Sequence, residues 1–124
     1  MKKEYRIKKN QEIQSVLSLK QSIVGKHFII YKKESHQEHF RYALSVSKKF
    51  GHAVERNKMK RQLRDILDNL NISNKYDLFV ITRLSAKDIS FESKKSEIIT
   101  LLTKINVLEN VLWTNKKSEL VLWF

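Results

Sequence analysis

Hydrophobic and polar positions recur along this chain with two periods, and the periods divide it into helices and strands. Ile13, Val16 and Leu17 stand at i, i+3 and i+4, which predicts a short helix over about 11 to 19. Asn10 ahead of it is a good N-cap, and Glu12 suits the positive end of a helix dipole. The run 27–33 is rich in aromatic and β-branched residues (Phe28, Ile29, Ile30, Tyr31) and reads as a strand, with Gly25 ending the connection into it. After a polar loop over 34–39 the chain alternates strictly. Phe40, Tyr42, Leu44 and Val46 share one face, and Arg41, Ala43, Ser45 and Ser47 share the other. These two consecutive strands are expected to form an antiparallel hairpin. Met59, Leu63, Ile66, Leu67 and Leu70 then make one apolar stripe of a helix over 55–70. Residues 76–82 read as a buried strand with Arg83 at its end. A last helix, with Ser90 as its cap, turns Ile98, Leu101, Leu102 and Ile105 inward. The predicted order is α, β, β, α, β, α, with room for a further short strand near 47 to 54. The passage 40–47, 55–70, 76–82 predicts a parallel strand pair, whose crossover is normally right-handed.

A chain of 124 residues is expected to make one compact domain. Its net charge of +12 changes the picture more than its length does. Such a chain repels itself, and a polyanion is the usual compensation. An acidic protein or an anionic membrane surface would satisfy the same charge, so the placement of the cations has to decide. The absence of cysteine removes disulfides, thiol catalysis and thiolate zinc sites together, and is compatible with a reducing cytoplasm. Met1-Lys2-Lys3-Glu4-Tyr5-Arg6 leads into more charge and not into an apolar run, so no secretory signal is expected. No apolar stretch approaches the ~20 residues that span a bilayer.

The cations fall into three groups: an amino-terminal arm (Lys2, Lys3, Arg6, Lys8, Lys9), the strand end at Lys48 and Lys49, and the helix group Arg56, Lys58, Lys60, Arg61 and Arg64. On the helix, Asn57, Arg61 and Arg64 fall opposite the apolar stripe, and Lys58 and Lys60 flank them. Solvated charged faces mix signs, as residues 88–97 do here; this face is nearly all positive, which points to phosphate. The backbone amides near 54–57 add a helix N-terminus, a ready phosphate site. Asn57 can contact a phosphate or a base edge. Tyr31 fits either a base-stacking surface or a sheet-edge aromatic. Phe28, Phe40, Tyr42 and Phe79 read as core.

Catalytic constellations are weak. His36 and His39 sit three apart near Glu34 and Glu38, too few ligands to define a metal site. The acids are scattered, without the paired carboxylates of a two-metal nuclease. If the protein takes part in RNA cleavage, the catalytic groups are expected to belong to something else.

Residues 45–61 carry a more specific signal. Val46-Ser47-Lys48-Lys49, Gly51, Ala53-Val54 and Arg56-Asn57-Lys58-Met59-Lys60-Arg61 follow one another without a gap, and this order resembles the protein subunit of bacterial ribonuclease P. The resemblance extends to Tyr5-Arg6-Ile7-Lys8-Lys9, Phe28-Ile29-Ile30-Tyr31, Phe40-Arg41-Tyr42-Ala43-Leu44 and the strand ending at Arg83. It covers about residues 3 to 108. There are departures from the family pattern. Lys58 replaces an arginine and loses its planar fork, Ala43 stands where glycine is usual, and Ile13 and Leu17 occupy the places of two phenylalanines. Leu84-Ser85 replaces Lys-Pro.

The resemblance implies an α+β fold: a single-domain α/β sandwich of the ribosomal protein S5 domain 2-like type. Its mixed sheet has about four strands, with three helices and a left-handed βαβ crossover. It implies a protein that assists a catalytic RNA in removing the 5′ leader of precursor tRNA, an endonucleolytic hydrolysis that uses Mg²⁺ bound mainly by the RNA. The implied partners are that RNA, in a 1:1 complex, and precursor tRNA, in the cytoplasm and away from membranes. Lys49, Arg56, Asn57, Lys58, Lys60, Arg61 and Arg64 would bind the catalytic RNA. Ile13, Leu17, Tyr31, Ser47 and Lys48 would line a cleft for the single-stranded leader, and no residue of the chain is implied as catalytic or metal-ligating. A different RNA-binding module and a self-sufficient nuclease working through His36 and His39 are the competing readings. The domain is expected over 1–108. The tail 109–124, with Trp113, Trp123 and an apolar end, has no counterpart in the resemblance. It is expected to fold back on the domain, with an edge strand or a partner contact as alternatives.

Overall fold

The computed structural model of the chain describes residues 6–7, 10–19, 21–35, 39–73 and 75–108. Helix α1 (Asn10–Ser18) precedes the strands β1 (Ser22–Val24), β2 (Phe28–Glu34) and β3 (Arg41–Val46). Helix α2 (Ala53–Asp68), strand β4 (Tyr76–Thr82) and helix α3 (Phe91–Lys104) follow. The strands form one mixed sheet in the order β1-β2-β4-β3, an α+β architecture of three helices and four strands among the described residues. β1 and β2 are antiparallel (Ser22 opposite Tyr31), β2 and β4 are antiparallel (Phe28 opposite Thr82), and β3 and β4 run parallel (Arg41 opposite Asp77). Helix α2 makes the crossover of that parallel pair.

The expected hairpin of 27–33 with 40–47 does not form, because β4 lies between the two strands. Strands buried on both faces favour the middle of a sheet. Leu78 and Val80 are fully buried toward one side, while Phe79 and Ile81 lie half-buried on the other. Strand β3, with its small polar face, takes an edge. β1 was not expected: three residues are too few to show alternation. The expected extra strand near 47–54 is a short 3₁₀ turn, Lys48–Phe50, pinned by the buried ring of Phe50.

The core lies between one sheet face and helices α2 and α3. Phe28, Ile30, Tyr42, Val46, Leu78 and Val80 meet Met59, Leu63, Ile66 and Leu67 of α2 and Ile98, Leu101 and Leu102 of α3. Ser90 caps α3 as expected, its hydroxyl accepting from the Ser93 N–H at 3.1 Å. The Glu97 carboxylate on α3 fastens the β1–β2 turn by accepting from the N–H groups of His27 (2.8 Å) and Phe28 (3.1 Å) and from His27 Nδ1 (2.6 Å). Gly25 makes room for it: a Cβ there would stand 2.7 Å from Glu97 Oε2.

Among the described elements, α1 covers the opposite sheet face, through the buried side chain of Val16 and two polar ties. Arg41 of β3 donates to Asp77 of β4 (3.1 and 2.8 Å) and meets Glu12 of α1 at 2.8 Å. Lys33 of β2 donates to Ser15 of α1. Residues 6–7 run along the free edge of β3, where the Ile7 N–H donates to the Tyr42 carbonyl at 2.9 Å.

Candidate nucleic-acid interface

Helix α2 places the densest charge of the chain, and its apolar stripe decides how. With Met59, Leu63, Ile66 and Leu67 in the core, Asn57 and Arg61 must face solvent, while Arg56, Lys60 and Arg64 are half-buried at the margins. The Nε atoms of Arg56 and Arg64 are buried without a hydrogen-bond partner among the described residues. Buried donors in native proteins are nearly always satisfied, so two orphaned guanidinium nitrogens on one helix leave room for an external acceptor. At the helix start, the Glu55 carboxylate accepts from the His52 N–H at 3.0 Å, and Lys87 stands 3.5 Å away. That hydrogen bond, then the Lys87 charge, holds Glu55 below the usual carboxylate range. Gly51 permits this arrangement, since a Cβ there would come within 2.6 Å of Glu55 Oε1. The N-terminus expected to be open to phosphate thus already has a carboxylate beside it. Lys48 and Lys49 lie exposed in the preceding turn, next to exposed Ser47.

The margins of α2 face different neighbours. Lys60 and Arg64 open onto a cavity of about 190 Å³ that they share with Arg6, Ile7 and Ile13 and with Tyr42, Ala43 and Leu44 of β3. Arg6, Arg61 and Arg64 border an adjoining hollow with Asp65 and Asp68. Lys58 points to the other side, into a cavity shared with α3. The buried Tyr42 hydroxyl donates to Asp68 at 3.1 Å, and burial, then the Asp68 charge, raises its pKa well above the ordinary tyrosine value.

The sheet face beneath α1 is laid out by register. One row is Lys33, Asp77 and Arg41, to which α1 is tied; the next is Tyr31, Phe79 and Ala43; the third is Ile29, Ile81 and Ser45. Tyr31, Phe79, Ile29, Ile81 and Ser45 are all half-buried, as are Ile13 and Leu17 of α1. This makes a partly apolar cleft between α1 and the sheet, and Ser47 and Lys48 follow the end of β3.

The structure brings Tyr31 together with Phe79, which was expected in the core but stands on this face. It also places Ile13, expected with the cleft, in the same cavity as Lys60 and Arg64, expected with the helix. Arg6 is the described member of the amino-terminal arm; Lys2, Lys3, Lys8 and Lys9 lie outside the described residues, as do His36, Trp113, Trp123 and the tail. Sequence reasoning missed Asp77 and the cleft lining of Ile29 and Ile81, because β4 looks apolar throughout and its faces cannot be told apart by period. Among the described residues no three His, Cys, Asp or Glu side chains stand together as a metal site, and no helix is long and apolar enough to cross a membrane. Nδ1 of His39 lies 3.0 Å from the Phe40 carbonyl.

Comparison with known proteins places this geometry in a family. The model of the family Ribonuclease P matches residues 1–106. The chain is 36% identical over 119 residues to the ribonuclease P protein component of Streptococcus equi subsp. zooepidemicus, covering 95% of this chain and 100% of that one. It is 40% identical over 112 residues to that of Enterococcus faecalis, covering 88% and 95%. The solved structure of the Staphylococcus aureus ribonuclease P protein superposes with a TM-score of 0.77 at 34% identity, over 85% of this chain and 98% of that one. The Thermotoga maritima protein shares the fold, with a TM-score of 0.74 at 22% identity, over 85% and 98%.

Proposed function

The chain belongs to the bacterial ribonuclease P protein family, and from that premise we propose that it serves the holoenzyme with two surfaces, one for the catalytic RNA and one for the 5′ leader of precursor tRNA. As a protein subunit of this endoribonuclease it takes part in tRNA 5′ maturation. Lys49, Arg56, Asn57, Lys58, Lys60, Arg61 and Arg64 contact the catalytic RNA. Ile13, Leu17, Tyr31, Ser47 and Lys48 hold the leader, with Phe79, Ile29 and Ile81 extending the floor on which its bases stack.

The observation that carries this reading is the shared wall of the two surfaces: Ile13 of α1 lines one cavity with Lys60 and Arg64 of α2. A strand leaving the helix ridge enters the cleft without crossing the body of the domain. The orphaned Nε atoms of Arg56 and Arg64 await acceptors of the kind RNA phosphates supply.

A leader contact is made with precursor and absent in product, so it favours substrate binding without retaining mature tRNA. Among the described residues no three carboxylates or histidines stand together as a metal site. Mg²⁺ supplies charge neutralisation for phosphodiester hydrolysis and is held mainly by the RNA. The protein raises the affinity of the assembly for metal and substrate by screening phosphate charge. A 1:1 complex in the cytoplasm is the working form.

The test is cleavage of a 5′-extended precursor tRNA at low Mg²⁺ with the catalytic RNA alone, the protein alone and the two together. Cleavage only in the mixture is expected; cleavage by the protein alone overturns the reading. Tyr31→Ala should weaken precursor binding more than mature tRNA binding, and equal losses overturn the cleft assignment.

A further inference from the structure

On the side of α2 away from the cleft, Lys94 occupies a position that the isolated chain does not explain. It lies in the first turns of α3 and is 6% exposed. Its Nζ donates to the neutral Gln62 Oε1 at 2.7 Å, and no carboxylate stands within 4 Å of it among the described residues. An ammonium has three protons to place, and buried ammoniums are normally paired. The positive end of the α3 dipole adds a further cost. Across the cavity, of about 150 Å³, stands Lys58, with Lys87 at the rim. Glu55, the carboxylate of this cavity, is engaged by the His52 N–H and Lys87. Burial, then the Lys58 charge, makes Lys94 a weaker base than an ordinary lysine. Burial, like-charge repulsion and the wrong helix end all oppose the cation, and local rules broken together without compensation mark functional positions. A single oxyanion would relieve all three.

We propose that Lys94, Lys58 and Lys87, with Gln62 as a hydrogen-bonding neighbour, form a phosphate site between α2 and α3, occupied in the holoenzyme by a phosphodiester of the catalytic RNA. Met59 closes the apolar wall, and the volume is several times the ~30 Å³ share of one water. The oxyanion chemistry stands on the pocket itself. Its assignment to RNA rests on the function proposed above and on the continuity of Lys58 with the basic helix. The site extends the RNA-binding surface around α2 to Lys87 and Lys94, which the basic helix motif does not contain.

The first arm titrates the free protein with inorganic phosphate and follows the backbone amides of Met59 and Lys87, which line the pocket, by NMR. A saturable shift is expected in the wild type and in Arg61→Ala, and none in Lys94→Met. Gln62→Glu gives Lys94 an internal carboxylate; it should raise Tm without phosphate and abolish the phosphate response. A wild-type response retained in either pocket variant overturns the site. The second arm measures binding of the full chain to the catalytic RNA against salt. Lys94→Met should lose about tenfold in affinity, as for a hydrogen bond to a charged group, and its log–log salt slope should fall by about one. Phosphate binding with unchanged RNA affinity and slope overturns the RNA occupant while leaving the oxyanion pocket. Failure of the wild type to bind the RNA at all overturns the broader function, and the first arm still reports on the pocket.

Discussion

Replacing Arg41 with alanine tests how the cleft is held together. The guanidinium makes two hydrogen bonds to Asp77, at 3.1 and 2.8 Å, and an ion pair with Glu12 at 2.8 Å, so one side chain joins β3, β4 and α1. The Asp77 hydrogen bond is the main reason the guanidinium holds its proton even more tightly than usual. Asp77 is 4% exposed and has no other side-chain partner among the described residues, so Arg41→Ala strands a buried carboxylate. Breaking a buried pair from one side costs about 3–5 kcal/mol, and the partial exposure of Arg41 puts the figure here near the lower end, about 3 kcal/mol. The half-exposed Glu12 contact adds ~0–1 kcal/mol. Against a total stability of roughly 5–15 kcal/mol this is a large fraction. Urea unfolding of the wild type, Arg41→Ala, Asp77→Ala and the double variant measures it. The double variant should recover part of the loss, with a coupling of roughly 1–3 kcal/mol. An additive cycle would refute the claim that this pair clamps β3 to β4.

Three further outcomes follow from the same geometry. Gly25→Ala should destabilise by about 1–3 kcal/mol in thermal melts, since its Cβ meets the triply hydrogen-bonded Glu97 and, at 3.0 Å, the Phe28 carbonyl; a neutral effect would mean that α3 does not clamp the turn. Arg61→Ala should weaken catalytic-RNA binding and lower the salt slope by about one, and an unchanged slope would take Arg61 off the phosphate path. Burial of the Tyr42 phenol raises its folded pKa, so its contribution is complete below the unfolded value of ~10 and is lost as pH rises from there toward the folded value. Alkaline unfolding followed by tyrosinate absorbance should show this loss, and Tyr42→Phe should remove it.

Much of this fold was legible because it is local. The stripe Met59–Leu63–Ile66–Leu67 follows from 3.6 residues per turn, and the same rotation puts Asn57 and Arg61 outside. The alternation of β3 and the Ser90 cap likewise depend on neighbours within a few positions. The buried partners were less legible. Asp77 reads as a polar interruption until Arg41 is placed opposite it, and Lys94 reads as one more surface lysine until Gln62 and Lys58 close around it. Phe79 misled because β4 is apolar on both faces, so composition could not assign its ring to the core or to the cleft.

The sequence by itself determined the three helices and the strands β2, β3 and β4, which helix face is basic, and that the chain seeks a phosphate-rich partner, since period and charge density are properties of consecutive residues. Only the tertiary structure decided that β4 separates β2 from β3, and that Ile13 stands beside Lys60 and Arg64 at the meeting of the two proposed surfaces. A periodic pattern states that a face must be buried without stating what buries it. That choice is a comparison among distant pairings, settled where the apolar surfaces and the few buried charges can all be satisfied at once.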